Sequence, residues 1–228
     1  MLNVAIDGPA GAGKSTIAQA VARALGCIYV DTGAMYRAVG LYALENGVTL
    51  AQMEAEPDKL LPLLPQIRLE LFYEDGGQRI RLNGRDVSQE IRTPDMGMAA
   101  SRVSAIPAVR AHLLDLQRDM AKTHDVVMDG RDIGTVILPD ANVKIFLTAS
   151  AEERARRRHA EYVAKGENIS YNKVLQDIKE RDYADVTKAV SPLVQAPDAV
   201  LVDTTTFTLE EAIATIRDII TARGAQAT

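Results

Sequence analysis

The sequence predicts an α/β fold built on a central five-stranded parallel sheet, with a small antiparallel β/α insert and a polar helical segment set into it. Three observations predict it. Two strand-then-helix patterns fit within residues 1–46, the spacing of a doubly wound sheet. Three further short apolar runs, each followed or preceded by a helical pattern, supply the rest of the sheet. Between them, residues 67–82 alternate polar and apolar at period two, the mark of an antiparallel pair with one face wet.

The elements follow in order. Residues 2–7 form a short buried strand, and the glycines from Gly8 to Gly13 interrupt it. A helix starts near Lys14, with Ile17, Val21, Ala24 and Leu25 on one face and Gly26 placed to end it. Cys27-Ile28-Tyr29-Val30-Asp31 is the second strand, with Cys27 as a small core hydrophobe. Thr32 is the expected cap of a helix that turns Met35, Val39, Tyr42 and Ala43 inward and stops at Asn46-Gly47. The meander follows: residues 67–74, a turn at Asp75-Gly76-Gly77, residues 79–82, the turn Asn83-Gly84, and a third short strand at Asp86-Val87.

Pro107 then opens a helix lined by Val109, Leu113, Leu116 and Met120. Residues 125–129 and 143–147 are two buried strands. Ser150 and Glu153 form a capping box ahead of a basic helix. Residues 199–203 are the fifth strand of the large sheet. Thr208 and Glu211 form another box ahead of a last helix docked by Ile213, Ile216 and Ile220.

Composition bounds the function. Hydrophobic residues make up 47% and charged residues 25%, with a net charge of −5. That leaves no global positive field for nucleic acid or an anionic membrane, so phosphate binding must come from local basic groups. The single cysteine excludes an internal disulfide and suits a reducing compartment. No run is long and apolar enough to span a bilayer, and a cytoplasmic location is the expectation.

Gly8-Pro9-Ala10-Gly11-Ala12-Gly13-Lys14-Ser15 matches G-x-x-x-x-G-K-[ST] in full, between a strand and a helix. The glycines let successive backbone N–H groups cradle a polyphosphate beside a helix N-terminus. Lys14 reaches the β and γ oxygens, the Ser15 hydroxyl suits Mg²⁺, and residues 8–16, through Thr16, form the ATP site. Such a loop says nucleoside triphosphate and no more. A GTPase would need N-K-x-D, which is missing from the chain.

Four further segments narrow the choice: Asp31-Thr32-Gly33-Ala34-Met35-Tyr36-Arg37, Asp129-Gly130-Arg131-Asp132-Ile133-Gly134-Thr135, Lys179-Glu180-Arg181-Asp182 and Ser191-Pro192-Leu193. In this order the chain resembles the bacterial cytidylate kinase family, nucleoside monophosphate kinases with a P-loop NTPase fold. The resemblance implies ATP with Mg²⁺ as donor and CMP or dCMP as acceptor. It places Thr32, Arg37 and Arg131 at the acceptor phosphate, Ser101, Arg110 and Asp132 at the cytosine edge, and Arg181 with Asp185 at the ribose. It also divides the chain into a core (1–59, 105–149 and 185–228), an acceptor-binding insert (60–104) and a lid (150–184), and it gives small-molecule partners; nothing in the charge pattern points to an obligate protein partner, so a monomer is the expectation. The family's usual arginine is replaced here by Lys188, which keeps the charge and loses the planar fork.

Alternatives stand beside several of these roles. Asp129 either holds Mg²⁺, directly or through water, or is only a strand-ending turn aspartate. Ser101 fits a plain helix or turn serine, and Lys188 a surface residue of a shifted loop. The run Arg154-Ala155-Arg156-Arg157-Arg158 puts Arg154, Arg157 and Arg158 on one helix face, either a solvated face or lid arginines. As lid residues, Arg154 and Arg157 would touch ATP, and Arg157, Arg158, Arg131 and Lys14 would neutralise the transferring phosphoryl. Two rival activities remain: a kinase of the shikimate or gluconate type with an alcohol acceptor, and a slow nucleotide-binding switch.

Overall fold

A computed structural model describes residues 1–74 and 77–224. The described residues form eight strands and eight α-helices. Asn3–Asp7 (β1) leads through the glycine loop into Lys14–Leu25 (α1), Ile28–Asp31 (β2) and Thr32–Glu45 (α2). Leu50–Ala55 (α3) precedes the meander Leu69–Glu74 (β3), Gly77–Leu82 (β4) and Arg85–Asp86 (β5). Pro94–Val103 (α4) and Pro107–Thr123 (α5) return the chain to Val126–Gly130 (β6) and Val143–Thr148 (β7). Ala151–Ala164 (α6), Tyr171–Thr187 (α7), Val200–Asp203 (β8) and Leu209–Gly224 (α8) complete it.

The strands form the two predicted sheets. The larger is ordered β2-β6-β1-β7-β8, and its registered pairs are parallel. Ile28 N donates to Asp125 O at 2.8 Å where β2 begins. The smaller is the antiparallel meander β3-β4-β5. Packing divides the chain into two units, Met1–Ile28 with the chain from His124 onward, and Tyr29–Thr123.

In the first unit β1 and β6 are almost wholly buried, and after Asn3 their side chains are apolar until the last residues, where carboxylates appear. Register pairs Ile6 with Asp129 and Asp7 with Gly130, bringing two strand ends level. Ligands of open α/β sheets bind at such carboxyl ends. α1 packs on β6 and α8. Its buried stripe is Ile17, Ala18, Val21 and Ala22, so the expected Ala24 faces solvent and Leu25 is half-buried. Gly26 ends the helix in the left-handed conformation. α6 and α7 carry a small core of their own, Ala155, Val174 and Ile178.

In the second unit α2 is apolar nearly all round and crosses α4 closely. A Cβ on Gly40 would lie 2.6 Å from Ala99 Cβ. α5 buries Val109, Leu113, Gln117 and Ala121, leaving Leu116 and Met120 half-buried.

Four local expectations are corrected. α2 is capped by Asp31, whose carboxylate accepts from Ala34 N, so Thr32 is already helical. Cys27 is half-buried at a sheet edge, where burial pushes its thiol pKa up. The third short strand is Arg85–Asp86, one residue earlier than expected. The box ahead of α6 is one-sided: Ser150 Oγ accepts from Glu153 N, but Ser150 N donates to Thr205 and the Glu153 carboxylate turns to Arg156 and Arg157. The box ahead of α8 is reciprocal, Thr208 N to Glu211 Oε2 and Glu211 N to Thr208 Oγ1, and so is an unpredicted one at Thr49 and Gln52. The turn at Asp75-Gly76 lies outside the described residues.

Candidate active site

The glycine loop is shaped by what it must avoid. A Cβ on Gly8 would sit 1.9 Å from Leu147 O, so only glycine lets β1 leave the sheet against β7. Gly11 and Gly13 have φ of 74° and 87°, the left-handed region, and Gly13 is the residue before α1. Pro9, Ala10 and Ala12 fill the intervening positions, and Thr16 follows in the first turn of α1.

Lys14 is buried, and its Nζ donates to Pro9 O at 2.8 Å. Burial first, and the Arg131 guanidinium second, press its ammonium well below the usual lysine pKa, while Asp129 and Asp185 act in the opposite sense. An arriving polyphosphate would restore the charge that the site itself disfavours. Ser15 Oγ donates to Asp129 Oδ2 at 2.9 Å, so hydroxyl and carboxylate oxygens stand side by side at the end of β6. Hard oxygen donors of this kind suit Mg²⁺, which keeps several waters and binds through one or two protein groups plus phosphate. Among the described residues no cluster of three or more metal-ligating His, Cys, Asp or Glu occurs.

Beyond Asp129 the chain turns sharply. Asp7, the last residue of β1, accepts from Ile133 N at 2.7 Å and Gly134 N at 2.8 Å, anchoring a π-helix at Ile133–Ile137. Burial outweighs these two hydrogen bonds and pushes the Asp7 carboxyl up to about 6, with the Asp132 charge adding to the rise. Asp132 is itself buried. Arg131 donates from Nε to Asp185 Oδ2 at 2.8 Å and from Nη1 to Gly130 O at 3.3 Å. Burial raises the Asp185 carboxyl, but Arg131, by charge and hydrogen bond, and then Arg181 and Lys188 outweigh it, and the pKa falls below the ordinary value. Lys188 closes α7, its N–H donating to Ala184 O. Ser191, at φ 48°, turns the chain so that Leu193 N reaches Asp185 O at 2.8 Å.

The arginines of α6 separate. Arg154 is buried and held by Asp182, Ala149 O and Ala10 O. Arg157 donates to Glu153 and to Thr204 O. Arg158 is exposed, paired with Glu161 and lying 4.9 Å over the Tyr162 ring. Of the three arginines that periodicity sets on one face, Arg154 is buried, Arg157 half-buried and Arg158 exposed, and Arg156 beside them is exposed as well.

In the second unit, Arg37 Nη2 donates to Asp31 Oδ2 at 2.7 Å, and a Cβ on Gly33 would crowd that guanidinium at 3.3 Å. Thr32 is buried beside them in the first turn of α2. Arg110 donates to Ser104 O and lies 5.7 Å over the Tyr36 ring. Ser101, half-buried in α4, accepts at its backbone oxygen from Ser104 Oγ.

Three residues that matter here drew no role from the sequence. Asp7 ends a buried strand, a signal that pointed only to a strand end. Asp182 lies in the Lys179-Glu180-Arg181-Asp182 motif, which points to no partner for it. Asp31 was read as a strand residue, yet it caps α2 and holds Arg37.

The comparisons with known proteins agree along the whole length. A family model described as cytidylate kinase matches residues 4–222. The cytidylate kinase of Carboxydothermus hydrogenoformans is 50% identical over 219 residues, 96% of this chain and 97% of that one. That of Lactobacillus gasseri is 48% identical over 220 residues, 96% of this chain and 94% of that one. Among solved structures, an uncharacterized protein from Eubacterium ventriosum has a TM-score of 0.52 at 12% identity, covering 98% of this chain and all of that one, a likeness of fold.

Proposed function

Because this chain belongs to the cytidylate kinase family, we propose that it transfers the γ-phosphoryl of ATP to CMP or dCMP, giving CDP or dCDP and ADP. The observation that carries the reading is the constellation Lys14–Ser15–Asp129, a buried lysine and an oxygen pair at the mouth of a complete phosphate-binding loop. Residues 8–16 bind the triphosphate, with Lys14 on its β and γ oxygens. Ser15, and Asp129 directly or through water, hold the Mg²⁺ that accompanies ATP. When bound, that ion supplies charge neutralisation on the phosphate oxygens. The acceptor phosphate is already an anion at neutral pH, so no general base is required. Its oxygen forms a bond to the γ-phosphorus as the bond to the β–γ bridging oxygen breaks, and ADP leaves.

Thr32, Arg37 and Arg131 take the acceptor phosphate in this reading, and Lys188 supports them as a point charge. Ser101, Arg110 and Asp132 read cytosine, and Arg181 with Asp185 takes the ribose. Asp132 and Asp185 are buried, so a base or sugar that failed to pair with them would gain nothing for the desolvation it imposes, which is how such a site rejects analogues. The functional division is a core of 1–59, 105–149 and 185–228, an acceptor insert at 60–104, and a lid at 150–184. The small core shared by α6 and α7 supports the lid, since a hairpin with its own packing can move as a body. In this reading Arg157 and Arg158 neutralise the phosphoryl in flight once the lid closes, with Arg157 also on ATP, and closure takes Arg158 from Glu161. Mg²⁺-ATP and a small nucleotide are the only partners required, and the enzyme acts as a cytoplasmic monomer. Among the described residues no helix is long and apolar enough to cross a membrane.

A panel of acceptors with ATP and Mg²⁺ tests the reading by ADP release. CMP and dCMP should give the highest kcat/KM, UMP far less, and shikimate or gluconate none. A preferred alcohol acceptor, or hydrolysis of ATP with no acceptor dependence, would overturn it.

A further inference from the structure

Arg154 spends four of its five N–H groups inside the protein. Nε donates to Ala149 O at 2.8 Å. Nη1 is shared between Ala10 O at 3.0 Å and Asp182 Oδ1 at 2.9 Å, and Nη2 donates to Asp182 Oδ2 at 2.6 Å. Its side chain is 5% exposed and that of Asp182 is 26% exposed. A guanidinium so committed is poorly placed to serve as a phosphate ligand. It is well placed to fix a backbone carbonyl of the glycine loop, and a Cβ built on Gly11, the next residue, would lie in van der Waals contact with Arg154 Cβ at 3.6 Å.

The carboxylate that orients Arg154 stands on α7, three residues before Asp185. Residues three apart lie on one face of a helix. So one face of α7 presents two carboxylates: Asp182 on the arginine that holds the glycine loop, and Asp185 on Arg131 at the end of β6. α7 is thus a strut with a contact to each of the two phosphate-handling elements of its unit.

We propose that Asp182 is a positioning residue of the ATP site, acting through Arg154 to hold the Ala10 carbonyl and so the shape of the glycine loop. The inference rests on the ATP-kinase reading above and assigns Arg154 to the loop's support. Loss of the Asp182 charge leaves Arg154 free to swing off Ala10, and the loop then samples shapes that do not fit a triphosphate. Because the cost falls before any transition state, it enters ATP affinity and KM for ATP more than kcat.

The test is calorimetric titration of Mg²⁺-ATP into the full chain without acceptor, for wild type, Asp182→Asn, Arg154→Lys and the double variant, each with its thermal midpoint. Asp182→Asn and Arg154→Lys should each weaken ATP binding by about tenfold or more. The double variant should be little worse than either single one, since both break one connection. CMP binding measured alone should change far less in Arg154→Lys. Should Asp182→Asn fail to fold, Asp182→Glu keeps the charge on a longer stem and should give an intermediate loss. Wild-type ATP affinity in a folded Asp182 variant would overturn the inference, as would additive losses in the double variant. If wild type itself fails to bind ATP, the kinase reading fails instead, and the two failures are distinguishable.

Discussion

Two regions of the molecule are rich in paired charges and use them in opposite ways. At the carboxyl ends of β1 and β6 and on the α7 face beside them, Asp7, Lys14, Asp129, Asp132, Asp185 and Arg154 are all nearly out of solvent. On the meander, Arg79 joins Glu74 and Asp86, Arg81 joins Glu70, and Arg85 joins Glu45 and Glu90, with every partner at least a third exposed. Charges left in water cost little and contribute little, and they discourage edge pairing of a small sheet. Charges taken out of water are expensive, so a fold that gathers six of them has a use for the field they make. The difference separates charges kept for solubility from charges kept for chemistry.

The comparison can be broken most severely at Lys14. Lys14→Ala should lower kcat by about a thousandfold or more while the fold and acceptor affinity survive, since the lost cation acts on the transferring phosphoryl. Steady-state kinetics at saturating ATP and CMP check it. Near-normal turnover would take the buried cluster out of the chemistry.

Arg131→Ala comes next. It strands the Asp185 carboxylate, which is 7% exposed, and should cost about 3 kcal/mol in a denaturant titration, with a raised KM for the acceptor. Comparable in size is the pH response of Asp7. Its folded pKa of about 6 lies above the 3.8 of an ordinary aspartate, so the folded state holds its proton more tightly. Stability from this group is complete below about pH 4 and is lost as pH rises through 6, a change of about 3 kcal/mol. Asp7→Asn should flatten the thermal midpoint over that window. A slope unchanged in Asp7→Asn would assign the response to other groups.

The smallest effect belongs to the meander. Arg81→Ala removes an exposed ion pair and a guanidinium 4.0 Å over the Phe72 ring, and should cost no more than about 1 kcal/mol. Its kinetic constants should match wild type. A loss as large as that of Arg131→Ala would mean that exposure does not separate the two regions.

Much of this was legible in the sequence because the strongest signals are local. The glycine loop, the five strands and the stop at Gly26 depend on a few adjacent residues each, and they appear where expected. The glycine-loop lysine and serine were legible for the same reason. What escaped was set by competition among partners, some one turn away and some far along the chain. Glu153 should have closed a capping box, but two arginines compete for its carboxylate and win. Arg154 looked like its neighbours in the arginine run until Asp182, 28 residues on, claimed it. Asp7 and Asp31 are strand ends by pattern; the fold brings Asp7 the N–H groups of Ile133 and Gly134, while Asp31 takes that of Ala34, a cap three residues away that the pattern gave to Thr32 instead. Periodicity reports which face of a helix a residue occupies, and it is silent on what waits across that face.

The position of Cys27 has a practical consequence. It is the chain's one thiol, half-buried at the start of β2 with its ionisation disfavoured, in a protein without a single tryptophan. Thiolate, not thiol, attacks a maleimide, so near neutral pH an exposed cysteine introduced on α6 or α7 would take a dye ahead of Cys27. One tryptophan introduced into the meander would be the sole indole to excite. Distances between a labelled lid and a fluorescent insert could then be followed during turnover with the native cysteine left in place.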